Sequence, residues 1–291
     1  MLTRRGAYAW GILTISVALA ACGAQDRIAG QAFGPALPAP PVASTAPATV
    51  STTPASPPPA TSSSAPPATT PKPAAPAGRV VVLDPGHNGG NAANPAAINK
   101  SVPAGRGKTK ACNTTGTATD AGYAEHAFTW DTANRVREIL AGRGVRVVLT
   151  RPNDSGVGPC VDQRAAIGNR ENAAAVVSIH ADGSTAEGAH GFHVAYSAPA
   201  LNAAQGEPSQ RLARTVRDRM VAAGLATSTY IGSNGLSPRD DLAGLNLSER
   251  PAVLVECGNM RDADEAARLS SPDGRQRYAA AIAEGILAYL G

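Results

Sequence analysis

The sequence predicts an α/β fold: a mostly parallel central sheet of about six strands, covered by helices on both faces. Two observations carry that prediction. Short apolar, β-branched runs recur along residues 79–291, as in VVVL, AVVSI and AVLV. Such runs read as strands buried on both faces, which is the habit of parallel sheets. Segments with helical spacing alternate with them, and that alternation implies βα units.

Taken in order, the first strand is Arg79–Leu83, which runs into Asp84-Pro85-Gly86-His87, a turn sequence. A helix follows over Glu125–Arg143, where Phe128, Thr132, Val136, Ile139 and Leu140 recur at helical spacing before Gly142 and Gly144 stop it. Arg146–Thr150 is the next strand, Val161–Asn172 the next helix, and Ala175–Ile179 the strand after that. Phe192–Tyr196 is a strand and Ser209–Ala223 a helix dressed with Arg211, Arg214, Arg217 and Arg219. Ala252–Val255 and a terminal helix near Gly274–Leu290 complete the pattern. Two long segments break the rhythm. Asn88–Ala124 is rich in Gly, Asn, Thr and Lys and shows no clear element, and Gly224–Arg250 offers only a short apolar turn at Leu245–Leu247. Loops of that length in a compact domain are usually functional rims or lids.

The first 78 residues are of another kind. Residues 1–22 read as an export signal, with Arg4 and Arg5 ahead of an apolar stretch from Ala9 to Ala20 that is short for a membrane span. Leu19-Ala20-Ala21-Cys22 resembles a bacterial lipobox, which implies cleavage before Cys22 and acylation of its sulfur. Ordinary signal cleavage nearby is the alternative, and it would make the protein secreted or periplasmic. Residues 23–78 are a linker, and from Phe33 to Gly78 Lys72 is the only charge among Ala, Pro, Ser and Thr. Such a composition does not repay the entropy of ordering, and it extends by up to about 3.1 Å per residue where Pro is dense. The expected location is the outer face of the cell membrane, with the membrane met only through the lipid anchor and the domain reaching the cell wall. A net charge of +4 with scattered basic residues argues against nucleic acid as a partner.

Of the four cysteines, Cys112 and Cys160 lie in loop-like sequence and are expected to form a disulfide, which an exported compartment permits. Cys257 follows a strand and is expected to be a small buried apolar residue.

The chemistry concentrates at strand and helix ends. His87 and His180 follow apolar strands, Glu256 ends AVLVE, and Glu125 opens the first helix. In a parallel sheet, strand ends gather at one edge. Two histidines and a carboxylate are a common set of ligands for catalytic Zn²⁺, and a further acid then serves as general base on the water. Each residue also has an ordinary reading: a turn histidine, a first-turn helix acid, a half-buried histidine bonded to a carbonyl. Glu256 is the hardest to dismiss, because an unpaired buried carboxylate is costly. His126 must point away from Glu125, His193 is expected to pack or face solvent, and His190 is placed to meet substrate.

The segments VVLDPGHNGG, GYAEHAFTWDTANRVREIL, VVSIHADG, GFHVAYS and PAVLVECGNMRDADEA, in this order, resemble the zinc-dependent N-acetylmuramoyl-L-alanine amidases of the Amidase_3 type. The resemblance covers Arg79–Leu290. It implies one Zn²⁺ per chain held by His87, Glu125 and His180, with Glu256 as the catalytic acid–base. It also implies peptidoglycan or muropeptides as substrate, cut between N-acetylmuramic acid and L-alanine. A monomer is expected. Where many members carry an arginine before the last strand this chain has Asn246, and GNMRD replaces a common GF-x-SN; both departures bear on substrate contacts. No inserted regulatory helix is evident, so the site is expected to be open or gated by the irregular 88–124 loop. A metal-dependent peptidase acting on the stem peptide and a non-catalytic wall-binding module are the alternatives.

Overall fold

The structure, a computed structural model, describes residues 79–291. The expected signal peptide, Cys22 and the expected linker lie outside the described residues. In chain order the elements are β1 (Val80–Pro85), α1 (Pro95–Ile98), β2 (Ser101–Gly105), β3 (Lys108–Ala111), α2 (Glu125–Ala141), β4 (Arg146–Leu149), α3 (Val161–Arg170) and β5 (Ala175–Asp182). There follow β6 (His193–Ser197), α4 (Glu207–Ala222), β7 (Leu236–Arg239), α5 (Ala243–Asn246), β8 (Ala252–Asn259), α6 (Ala263–Ser270) and α7 (Pro272–Leu290).

The central sheet has six strands in the order β4-β1-β5-β8-β6-β7. The pairs β1·β4, β1·β5, β5·β8 and β6·β7 are parallel, whereas β6 runs antiparallel to β8. The expected mostly parallel sheet is therefore present, with β6 and β7 reversed at one side.

Alternation along the strands divides the core. Val81, Leu83, Val177, Ile179, Val253 and Val255 face one side, where α2, α4 and α7 supply Phe128, Val136, Leu212, Val216, Ile282 and Ile286. Val82, Val176, Ala195 and Ala252 face the other, against Leu245 and the half-buried Ile167 and Leu242. The second side is the thinner one. With a side-chain period of two, it is also the side on which Asp84, Ser178, His180 and Glu256 project.

Both segments read as irregular contain structure. The 88–124 stretch holds α1 and an antiparallel hairpin, β2–β3. Its turn at Arg106 and Gly107 has φ of 55° and 68°, the left-handed pair that a tight hairpin favours. The disulfide between Cys112 and Cys160 joins the end of this hairpin to the start of α3, and Cys257 is free and buried. The 224–250 stretch holds β7 and α5. Lys108-Thr109-Lys110-Ala111 and Leu236-Ser237-Pro238-Arg239 carry too little apolar alternation to announce strands.

Candidate active site

β1 delivers His87 through a sharp turn. The residue itself has φ of 60°, a left-handed conformation that a non-glycine residue rarely holds without support. The support is two buried arginines. Arg164 donates to the carbonyls of Pro85 (2.7 Å) and His87 (2.8 Å) and to Asp84 Oδ1 (2.8 Å). Arg151, fully buried, donates to Pro85 O (3.0 Å), and Thr129 Oγ1 donates to Gly86 O (2.7 Å). Burial pulls the Arg151 guanidinium down to about 10. Asp84 accepts in addition from Thr150 and Ser178, at 2.6 and 2.7 Å. Burial opposes its ionisation, yet Arg164 and these hydroxyls hold the carboxyl down at about 2.

Around this turn the three expected ligands converge. His87 Nε2 lies 3.1 Å from Glu125 Oε1, and His180 Nδ1 lies 3.0 Å from the same oxygen. The imidazoles meet edge to face with ring centres 4.9 Å apart. One ligand atom from each residue falls within 4.8 Å of the others. His87 Nδ1 donates to Thr114 O at 3.0 Å, which turns Nε2 inward. Glu125 also accepts from the backbone N–H groups of Thr117 (2.9 Å) and Ala181 (3.2 Å). Two glycines make room. A Cβ on Gly86 would sit 2.2 Å from the His180 ring, and one on Gly116 would sit 2.8 Å from Glu125 Oε2.

Glu256 stands directly beside His180 in the β5–β8 register. Its Oε2 is buried and has no hydrogen-bond partner among the described residues. Burial first, then the charges of Asp182 and Glu125, push its carboxyl well above the ordinary range. The four side chains line one cavity of about 360 Å³ on the thin side of the sheet.

The Amidase_3 family model, described as N-acetylmuramoyl-L-alanine amidase, matches residues 81–288. The chain belongs to this family. It is 51% identical over 214 residues to the N-acetylmuramoyl-L-alanine amidase Rv3717 of Mycobacterium tuberculosis, covering 74% of this chain and 87% of that protein. Two solved amidases, each called Ami1, superpose with a TM-score of 0.71. The one from Mycobacterium smegmatis is 55% identical and the one from Mycobacterium abscessus 58%, covering 74% of this chain and 98% and 100% of theirs. The chain is thus an N-acetylmuramoyl-L-alanine amidase, a hydrolase of the bond joining N-acetylmuramic acid to L-alanine in the cell wall.

In this amidase neither residue expected to contact substrate, Asn246 or His190, lines the cavity. Asn246 is 5% exposed and does not line the cavity. Its amide accepts from Arg106 Nε and Ser197 Oγ, both at 3.1 Å, and donates to Ala104 O (3.1 Å) and Asp240 O (2.8 Å). Every polar position is occupied by protein, so Asn246 fastens the β2–β3 hairpin to α5. His190 also lies outside the cavity lining, with Nδ1 donating to Gly188 O at 2.9 Å. His126 faces Asp154 at 2.7 Å, away from the three ligands.

Sequence reasoning did not single out Asp182, Arg164 or Lys110, all of which line the cavity. Asp182 follows His180 by two residues, so strand alternation was an available signal. It accepts from Tyr230 OH at 2.7 Å and lines the cavity. His193 is buried opposite Glu256 in the β6–β8 register, which is the packed one of its two expected placements. Nothing local in the sequence marks Arg164 or Lys110.

Proposed function

We propose that this amidase works with one Zn²⁺ held by His87, Glu125 and His180, and that Glu256 is its general base and acid. The donor set of two nitrogens and one carboxylate oxygen suits zinc, leaving a position for water. The residues fit the ion on physical grounds as well. Glu125 is buried, and although burial opposes its charge, His87 and His180 keep it well below the usual carboxylate range. A buried carboxylate between two ring nitrogens calls for positive charge.

When bound, the zinc ion supplies Lewis acidity, which makes water nucleophilic near neutral pH and offsets charge growing on the amide oxygen. Glu256 Oε2, buried and unpartnered, is the atom that would take a proton from the water attacking the carbonyl carbon. The same oxygen then hands the proton to the departing alanine nitrogen, so that it leaves as an amine. Thr114 O keeps His87 oriented throughout. The single observation that carries this reading is the orphaned Glu256 oxygen next to the converged ligand set.

The test is to incubate the purified chain with defined muropeptides, with and without chelator, and to weigh the products. Intact stem peptide and free muramoyl sugar, lost on chelation and restored by zinc, are expected. Cleavage within the stem peptide would overturn the assignment of the bond, and activity indifferent to chelator would overturn the metal. We further propose Cys22 as an acylated anchor, supported by the lipobox-like Leu19–Cys22. Mass spectrometry of the mature N-terminus tests it; a chain cleaved elsewhere and free of lipid would refute it.

A further inference from the structure

The cavity beside the ligand set is lopsided. Away from His87, Glu125 and His180 its wall is apolar, built from Val161, Ala165, Leu242, Leu245 and Leu254. Two cationic side chains line it, Arg164 and Lys110. Arg164 is buried and bonded to Asp84 and to the carbonyls of Pro85, His87 and Pro159. Of the acids on the wall, Asp84 is paired with Arg164 and Asp182 receives the Tyr230 hydroxyl. Lys110 is differently placed. It stands half-buried on β3, and its hydrogen bond among the described residues is one long contact, 3.4 Å from Nζ to Asp241 O. The Asp241 carboxylate is itself held by Arg239 through two bonds of 2.7 Å. An ammonium has three donors to satisfy. Lys110 therefore brings a cation with donor capacity to spare to the cavity wall.

We propose that Lys110 forms a carboxylate subsite for the peptide side of the substrate, taking the α-carboxylate of the residue that follows L-alanine. The inference rests on the amidase reading and goes beyond it, by naming the substrate group that is read and the residue that reads it. Size and chemistry agree. A cavity of about 360 Å³ has room for a short peptide segment, whose consecutive Cα atoms lie about 3.8 Å apart. With the scissile amide at the ligand set, the apolar wall meets the alanine methyl and the next carboxylate reaches the rim. A flexible lysine supplies a point charge there without imposing the planar geometry that arginine demands.

The experiment uses the full-length chain loaded with zinc and two muramoyl dipeptides that differ at one group, the second residue's α-carboxyl being free in one and amidated in the other. For the wild-type enzyme, KM for the free acid is expected to be roughly tenfold lower than for the amide, with kcat alike, as befits one charge-assisted hydrogen bond at a half-buried site. Lys110→Gln should raise KM for the free acid to that for the amide. Lys110→Glu should reverse the preference. A wild-type enzyme that does not distinguish the two substrates, or a Lys110→Gln enzyme that still does, overturns the subsite. If the wild-type enzyme released stem peptide from neither substrate, the amidase reading itself would fail, so the two failures are distinguishable.

Discussion

The Asp84→Asn substitution tests how the His87 turn is held. In the folded protein Asp84 ionises at about 2, against an ordinary 3.8. At about 1.4 kcal/mol per pH unit, that lowering is worth about 2.5 kcal/mol at neutral pH. The substitution also leaves the buried Arg164 without its counter-charge, and breaking a buried pair from one side costs roughly 3–5 kcal/mol. A loss of about 3 kcal/mol is the expected outcome at neutral pH. The pH dependence has a definite sign. The carboxyl's folded pKa is depressed, so its contribution is present above about pH 4 and is lost as the pH falls toward 2. The stability gap between wild type and Asp84→Asn should therefore narrow between about pH 5 and about pH 2. Urea unfolding followed by circular dichroism across that range measures it. A gap below about 0.5 kcal/mol at neutral pH, the scale of an inert surface change, would refute the reasoning. So would a gap that stays constant with pH. Because Arg164 also holds the His87 carbonyl, zinc affinity should fall by about 10–100-fold in the same variant, the usual cost of losing a group that orients a ligand.

Three further outcomes are expected. Glu256→Gln should keep its zinc, as seen by titration calorimetry, while kcat falls by about 10²–10⁴-fold; near-normal turnover would remove Glu256 from proton transfer. Replacing Cys112 and Cys160 by alanine frees a loop with a sequence separation of 48. On the chain-entropy account this costs up to about 4 kcal/mol, and a urea midpoint indifferent to reductant would contradict it. Asn246→Ala should cost about 2 kcal/mol of stability, because four hydrogen-bond partners around a buried amide are left unmet. A raised KM with unchanged stability would instead return Asn246 to the substrate site.

Much of the site was legible because its signals are local. A β-branched run stops at Asp84-Pro85-Gly86-His87, another ends on His180 and a third on Glu256, and strand ends in a parallel sheet share an edge whatever the details of packing. Glu125 at the first residue of α2 was equally visible from the helical spacing behind it. The hairpin was harder, since Ser101–Gly105 and Lys108–Ala111 are short and carry little apolar alternation. Folding it changed the meaning of Asn246. A residue expected from the sequence to bear on substrate is bonded to Ala104 and Arg106, each about 140 positions away.

By itself the sequence determined the layered architecture and the placing of four acid and histidine side chains at one sheet edge, because hydrophobic period and turn composition act over a few neighbouring residues. Only the tertiary structure decided the rest: that β6 and β7 run against the other strands, that Arg164 reaches back 77 positions to grip the carbonyl of His87, and that Lys110 faces the cavity while Asn246 does not. Long polar side chains find partners by proximity across the fold, and no short-range pattern encodes which distant carbonyl or carboxylate packing will bring within their reach.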